Sequence, residues 1–139
     1  MSDGLGSPDY EIALEERERR QSAGLNFRKS LEVITAAAKE RRYVSYGEIA
    51  ENSGVSWNVA RRPMPRHLAH LCEYAHQKGW PLLSSIVVNK ENVKTGELRP
   101  DSLEGFIKEA RVLGYLVTDK QAFLRDQQRK TFDWGTNRQ

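Results

Sequence analysis

The feature that most constrains the fold is a pair of short helices joined by a glycine, in the stretch YVSYGEIAENSGVSWNVARR. Ser45 stands three residues before Glu48, which is the spacing of a capping box, so a helix is expected to begin there. Gly54 is expected to end it, because glycine adopts a left-handed turn without steric strain. A second helix can then start at Ser56. Two brief helices joined by a glycine turn predict a helix-turn-helix.

The hydrophobic pattern predicts four further helices and one strand. Apolar residues recur at helical spacing in FRKSLEVITAAAKERR, in RHLAHLCEYAHQKG and in the last third of the chain. The run LLSSIVVN is rich in β-branched residues and predicts a strand through the core, followed by a charged wing or loop. The predicted helix starts are Asn26, Pro63 or Pro65, Ser102 and Asp119, and the predicted stops are Gly79 and Gly114.

Together these elements predict a mainly α fold with a short β hairpin. A winged helix-turn-helix-like core would be followed by two C-terminal helices. The 139 residues fit one domain, and we place it at residues 25–135. Residues 1–24 are expected to form a flexible or peripheral charged arm, because they carry too little apolar surface to pack on a core. Residues 136–139 form a tail.

The charge distribution points to the middle of the chain as a phosphate-facing surface. The net charge is only +3, but residues 55–99 carry seven basic side chains against three acidic ones. An ordinary solvated face would explain the same surplus. In a helix-turn-helix the second helix enters the major groove, where arginine pairs with guanine and asparagine with adenine. The expected DNA contacts are Ser56, Trp57, Asn58, Arg61, Arg62 and Arg66, with Lys90 and Lys94 of the wing on phosphates.

The stretches VSYGEIAENSGVSWNVARR and WPLLSSIVVNKENVKTGE resemble the winged-helix DNA-binding domain of the O6-alkylguanine DNA alkyltransferases and alkyltransferase-like proteins. The resemblance covers residues 44–96 and implies a winged-helix fold and DNA binding. The first block matches at Tyr46, Gly47, Glu48, Ile49, Ala50, Gly54, Ala60 and Arg61, and the second more loosely at Pro81, Val87, Val88, Asn89 and Gly96.

The same resemblance argues against an alkyltransferase activity. Those enzymes carry a cysteine activated by a histidine between the proline and the two valines, where this chain has Leu82, Leu83, Ser84, Ser85 and Ile86. Cys72 lies in the apolar stripe of its helix and is expected to be structural. A zinc site of Cys72 with His67, His70 and His76 is set aside in favour of solvated histidines. We therefore expect no catalytic residue, metal or cofactor.

The predicted function is non-enzymatic binding of double-stranded DNA, in transcription regulation or as an accessory of a repair, restriction or mobile-element system. One alternative is an interaction adaptor or homodimer that uses the C-terminal helices, where Phe123, Phe132 and Trp134 either bind a partner or close the core. Another is an enzyme with a pocket lined by Trp80, His70 and Glu73. The charged N-terminus, the single cysteine and the lack of a long apolar run predict a cytoplasmic protein without membrane contact.

Overall fold

The fold was obtained as a computed structural model, which describes residues 24–138. The charged arm predicted for residues 1–24 therefore lies almost entirely outside the described residues. The chain forms helices α1 (Phe27–Lys39), α2 (Tyr46–Asn52), α3 (Trp57–Ala60), α4 (Met64–Gln77), α5 (Pro100–Val112) and α6 (Lys120–Thr136). Strands β1 (Val44–Ser45) and β2 (Val87–Val88) form a two-stranded sheet, and two 3-10 helices span Leu83–Ile86 and Lys90–Asn92.

Local signals set most of the helix boundaries. The side chain of Asn26 accepts a hydrogen bond from the Lys29 amide at 2.8 Å and begins α1. Asp119 accepts from the Ala122 amide and begins α6. The predicted cap at Ser102 is wrong. Helix α5 starts at Pro100 instead. Proline is tolerated in a first turn, because the N–H that it lacks would have no hydrogen-bond partner there.

The mainly helical class with a short pair of strands is confirmed, but the pair is not a hairpin. Strands β1 and β2 run parallel, with Val44 opposite Val87 and Ser45 opposite Val88. Parallel strands cannot be joined by a tight turn, and here α2, α3 and α4 lie between them. The predicted wing is a compact turn instead. The Asn92 amide donates to the Asn89 carbonyl and the Gly96 amide to the Asn92 carbonyl, both at 2.8 Å.

Residues 82–88 run through the centre of the molecule, and all of them are buried. The prediction of a continuous strand there is wrong for four residues, which form the 3-10 helix Leu83–Ile86. Side chains of α6 replace a neighbouring strand as hydrogen-bond partners. Gln127 Oε1 accepts from the Leu82 amide at 2.9 Å, and Gln128 Nε2 donates to the Ser85 carbonyl at 2.9 Å.

This central segment separates two hydrophobic clusters. The first lies among α1, α2, α4 and Phe132 of α6, and the second among α5, α6 and Leu82. Successive strand residues point to opposite sides, so that Val87 belongs to the first cluster and Val88 to the second. Within residues 24–138, none of the helices has both the length and the apolar character needed to cross a membrane.

Candidate nucleic-acid interface

Helix α2 is held by bonds that the sequence predicts. Ser45 Oγ accepts from the Glu48 amide, and Glu48 Oε1 accepts from the Ser45 amide, both at 3.1 Å, which completes a capping box. At the other end Gly54 has φ +76°, and the Val55 amide donates to the Ala50 carbonyl at 3.0 Å. This turn is fixed to the start of α1, because Ser53 Oγ accepts from the Asn26 amide at 2.8 Å.

Helix α3, the expected recognition helix, has a single turn. Prolines limit it, because Pro63 and Pro65 have no N–H to donate to the carbonyls four residues earlier. Arg61 nevertheless keeps a helical conformation (φ −63°, ψ −34°), and the chain passes through a three-residue turn into α4. Only Ala60 of α3 is buried. Ala60 thus anchors the helix in the core, and Trp57, Asn58 and Val59 are exposed.

The residues expected to contact DNA are exposed on and after this helix. We call them the 56–66 surface: Ser56, Trp57, Asn58, Arg61, Arg62 and Arg66. Trp57 does not enter the core. Its ring stacks on Tyr46 of α2 with centroids 6.4 Å apart and planes 22° apart, and its side chain is 43% exposed. An aromatic face therefore lies at the surface beside the arginines.

Ion pairing distinguishes the three arginines of the 56–66 surface from four of the other described arginines. Within the part of the chain that the structure describes, Arg61, Arg62 and Arg66 have no carboxylate partner. By contrast, ion pairs hold the arginines of four other positions, namely Arg41 with Asp133, Arg42 with Glu40, Arg99 with Glu91 and Arg129 with Asp126. The charge of the 56–66 surface is therefore available to an external anion.

Lys90 and Lys94 are also exposed and lie in the compact turn rather than on a β wing. The neighbouring carboxylate Glu91 is engaged by Arg99, whose hydrogen bond lowers the pKa of Glu91. The turn begins at Asn89, which lines the same cavity as Arg61 and Trp57. The structure thus places the start of this turn beside the 56–66 surface, with a cavity between them.

No pattern in the sequence predicts that cavity. It has a volume of about 410 Å³ and lies between α3, α4 and α5. The pocket predicted for an enzyme, lined by Trp80, His70 and Glu73, is not found at this place. Trp80 lines a second cavity of about 350 Å³ beside Trp134, and neither His70 nor Glu73 lines either of the two.

The expected place of Cys72 among apolar core residues is confirmed. Cys72 is buried and lies 3.0 Å from Ser84 Oγ, within hydrogen-bond distance, and burial raises the pKa of its thiol to about 11. A thiol with that pKa is protonated at neutral pH and is a poor nucleophile. Among residues 24–138 there is no group of three or more histidine, cysteine or carboxylate side chains that could hold a metal ion.

The prediction of solvated histidines is wrong for His67. Its side chain is fully buried, and a 2.7 Å hydrogen bond joins its Nε2 to Ser30 Oγ of α1. Helical periodicity places His67 next to the apolar stripe, but it does not show that another helix supplies a polar partner. Burial lowers the pKa of His67 to about 4 from an ordinary value of 6.5.

Acid is therefore expected to destabilise the fold through His67. The unfolded chain binds a proton at this residue below about pH 6.5 and the folded chain only below about pH 4, so stability falls as the pH decreases across that window. The total loss is about 3 kcal/mol. Urea unfolding at pH 7 and pH 4 of the wild type, of His67→Gln and of the exposed control His76→Gln measures this. Equal pH dependence in the wild type and His67→Gln would contradict the assignment.

The C-terminal aromatic residues close the core rather than form an exposed patch. Phe132 is buried, and Tyr43 packs against its ring with centroids 5.2 Å apart. Trp134 is half-buried against Trp80, and Phe123 lies between Phe106 and Tyr115. Phe132 is therefore a core residue, whereas Phe123 and Trp134 are partly buried, and the adaptor hypothesis stays a prediction.

No family model, curated protein or solved structure matches this chain. The resemblance to the winged-helix domain of the alkyltransferases therefore stays a prediction from the residues that carry it. The fold is a mainly helical domain, and an exposed cluster of arginines follows its two short helices joined by a glycine turn.

Proposed function

We propose that this protein binds double-stranded DNA without catalysing a reaction, and that the 56–66 surface contacts the phosphates. The observation that carries the proposal is the exposure of Arg61, Arg62 and Arg66 without a carboxylate partner among the described residues. Arginines are common ligands of phosphate oxygens, and binding releases the counterions that surround the duplex. Lys90 and Lys94 would add two further phosphate contacts from the neighbouring turn.

The geometry of α3 favours contacts to the DNA backbone over extensive reading of bases. A one-turn helix offers few side chains to a groove, and here Asn58 and Arg61 are the residues able to pair with base edges. Trp57 presents an aromatic face beside them. We therefore expect phosphate contacts to supply most of the affinity, with a small contribution from base contacts.

The double variant Arg61→Ala/Arg62→Ala is expected to bind a labelled random duplex at least about tenfold more weakly than the wild type in low salt. Losing two phosphate contacts should also reduce the slope of log K against log salt by about 2. Fluorescence anisotropy titrations at 50 and 200 mM salt measure both quantities, within the range over which phosphate contacts are known to weaken.

The matched control is Arg129→Ala/Lys130→Ala on α6. It removes the same net charge, but from residues that are already paired with Asp126. Its affinity is expected to stay within about twofold of wild type, because the effect of net charge alone is small at these salt concentrations. Equal weakening by both double variants would show that overall charge, and not the 56–66 surface, drives binding. A wild type that does not bind at 50 mM salt would refute the proposal.

A further inference from the structure

The chain changes the sign of its net charge at Gly24. Residues 1–23 contain six acidic and three basic side chains, whereas the rest of the chain contains 13 acidic and 19 basic ones. Four of the six carboxylates lie in the stretch DYEIALEE, residues 9–16, which has no basic residue and which we call the acidic segment. The same segment carries three large apolar side chains, namely Tyr10, Ile12 and Leu14.

The chain enters the described domain next to the 56–66 surface. A Cβ built on Gly24 would lie 3.3 Å from Cγ2 of Val55, the residue directly before that surface. The connection is fixed at this place, because the Asn26 amide donates a hydrogen bond to Ser53 Oγ at 2.8 Å. The residues that precede Gly24 are therefore attached beside α3.

The acidic segment is long enough to reach the arginines of that surface. Glu16 stands eight positions before Gly24, and a chain of that length can span up to about 26 Å. Arg61 lies within about 15 Å of Val55, because four of the six positions between them advance only about 1.5 Å each in α3. So short a tether gives an effective concentration on the order of millimolar, so that even a weak contact is populated.

The 56–66 surface and the acidic segment are complementary in charge and in apolar character. Arg61, Arg62 and Arg66 are exposed, and none of them has a carboxylate partner among residues 24–138. Trp57 and Val59, at 43% and 52% exposure, are two of the four large apolar residues exposed in that part of the chain. Carboxylates form strong charge-assisted hydrogen bonds with arginine, and covering exposed apolar side chains is favourable.

We propose that the acidic segment binds the 56–66 surface of its own chain, with its carboxylates on the arginines and its apolar side chains against Trp57 and Val59. The contact requires no DNA. Because the carboxylates occupy the groups that would otherwise hold phosphates, the segment competes with a duplex, and this consequence rests on the proposed function.

Paramagnetic relaxation tests the contact in the full chain without DNA. A nitroxide is attached at Ala13→Cys, while Cys72, the single native cysteine, is buried. The readout is the broadening of the Trp57 indole N–H signal. In a neutralised chain that keeps the tether but loses the charges, this broadening should fall at least about twofold. Four substitutions neutralise the segment, namely Asp9→Asn, Glu11→Gln, Glu15→Gln and Glu16→Gln.

Two double variants test the surface side of the contact. Arg61→Ala/Arg62→Ala should lower the broadening to the level of the neutralised chain. Arg129→Ala/Lys130→Ala removes the same charge from α6 and should leave the broadening unchanged. The substituted side chains of both variants are exposed, and amide spectra show that each variant is folded.

Two results would overturn the contact. Equal broadening in the wild type and the neutralised chain would show that the tether alone brings the label near Trp57. Equal losses in the two double variants would show that the segment follows the overall charge and not the 56–66 surface.

Anisotropy titrations with a duplex separate this inference from the proposed function. If both hold, the neutralised chain binds the duplex at least about threefold more tightly than the wild type, because the surface is no longer partly occupied. That gain should disappear in the Arg61→Ala/Arg62→Ala background, and a gain that persists there would refute the competition. Segment-dependent broadening without DNA binding by any variant would refute only the proposed function. DNA binding without segment-dependent broadening would refute only the contact.

Discussion

Replacing Gly135 by alanine is expected to lower the free energy of unfolding by about 3 kcal/mol, although alanine is the better helix former by about 1 kcal/mol. The reason is the approach of α6 to α1. A Cβ at position 135 would lie 2.5 Å from the carbonyl carbon and from the Cβ of Ala38, and 2.7 Å from the Lys39 nitrogen. Real Cβ atoms essentially never come closer than 3.0 Å to other heavy atoms.

The helices cannot relieve this overlap by moving a side chain, because two of the three atoms belong to the backbone of α1. Ala38 is itself fully buried, so α1 would have to shift away from α6 as a unit. That shift opens the first hydrophobic cluster, to which Phe132 of α6 and Ala37 and Ala38 of α1 belong. Overpacking of a tight core typically costs 1–3 kcal/mol. We expect a cost at the upper end of that range here, because backbone atoms of α1 cannot move aside as a side chain can.

Gly105→Ala is the matched control, because it makes the same substitution in the middle of α5. No atom lies within 4 Å of its added Cβ, so only the helix propensity changes. We expect Gly105→Ala to stabilise the protein by about 0.5–1 kcal/mol. Urea unfolding of both variants tests the pair, and the expected signs are opposite. A stabilised Gly135→Ala variant would mean that α1 and α6 are further apart than the structure shows.

Sequence patterns predict the helices well because caps and stops are local. Asn26, Ser45 and Asp119 bond to amides three residues ahead, and Gly54 adopts the left-handed turn for which glycine is suited. Such interactions involve residues close in sequence, and spacing alone is enough to infer them. The compact helix-turn-helix corner was predictable for the same reason.

Residues 82–88 show where local patterns are insufficient. Their β-branched composition suits a strand, but their hydrogen-bond partners are side chains more than 40 residues away on α6. Helical spacing places Gln127 and Gln128 on the same side of the helix as Phe132, but only the structure shows that both are buried. The burial of His67 is hidden from the sequence for the same reason, since its hydrogen-bond partner Ser30 comes from another helix. A buried polar pair is invisible until the packing of the helices is known.

The candidate site also has features that the sequence predicts and features that it does not. The exposure of Asn58, Arg61 and Arg62 could be predicted, because they follow a short helix with few apolar residues. The shortness of α3 follows from Pro63 and Pro65, which the sequence displays. The missing ion pairs of the arginines and the cavity behind them could not be predicted. Both depend on how α4 and α5 pack, and the cavity is lined by residues from many separate segments.

Gly96→Ala is expected to lower the free energy of unfolding by about 4 kcal/mol, because it combines backbone strain with steric overlap. Gly96 is buried at φ +77°, a conformation that costs alanine about 1–2 kcal/mol. Its Cβ would also lie 2.6 Å from Oη of Tyr43. The Tyr43 ring packs edge-on against Phe132, so moving it away from position 96 would break that contact.

The substitution should also disturb the turn that carries Lys90 and Lys94. The Gly96 carbonyl accepts a 2.8 Å hydrogen bond from Gln128 Nε2, which donates to the Ser85 carbonyl as well. Displacing Gly96 would therefore loosen one anchor of the turn on α6 and leave buried polar atoms without partners. If the turn contributes to DNA binding, Gly96→Ala that remains folded should bind DNA more weakly than the wild type.

Two comparisons separate the cost of backbone strain at position 96 from the cost of steric overlap with Tyr43. Gly54→Ala has nearly the same backbone angle (φ +76°), but its Cβ meets no atom within 4 Å, so it should cost only about 1–2 kcal/mol. In a Tyr43→Ala background, Gly96→Ala should likewise cost about 1–2 kcal/mol, which gives a coupling energy of about 2–3 kcal/mol between positions 43 and 96. Urea unfolding of the four proteins in this cycle measures that coupling. A value near zero would show that backbone strain alone requires glycine at position 96, since the tyrosine ring would then contribute nothing.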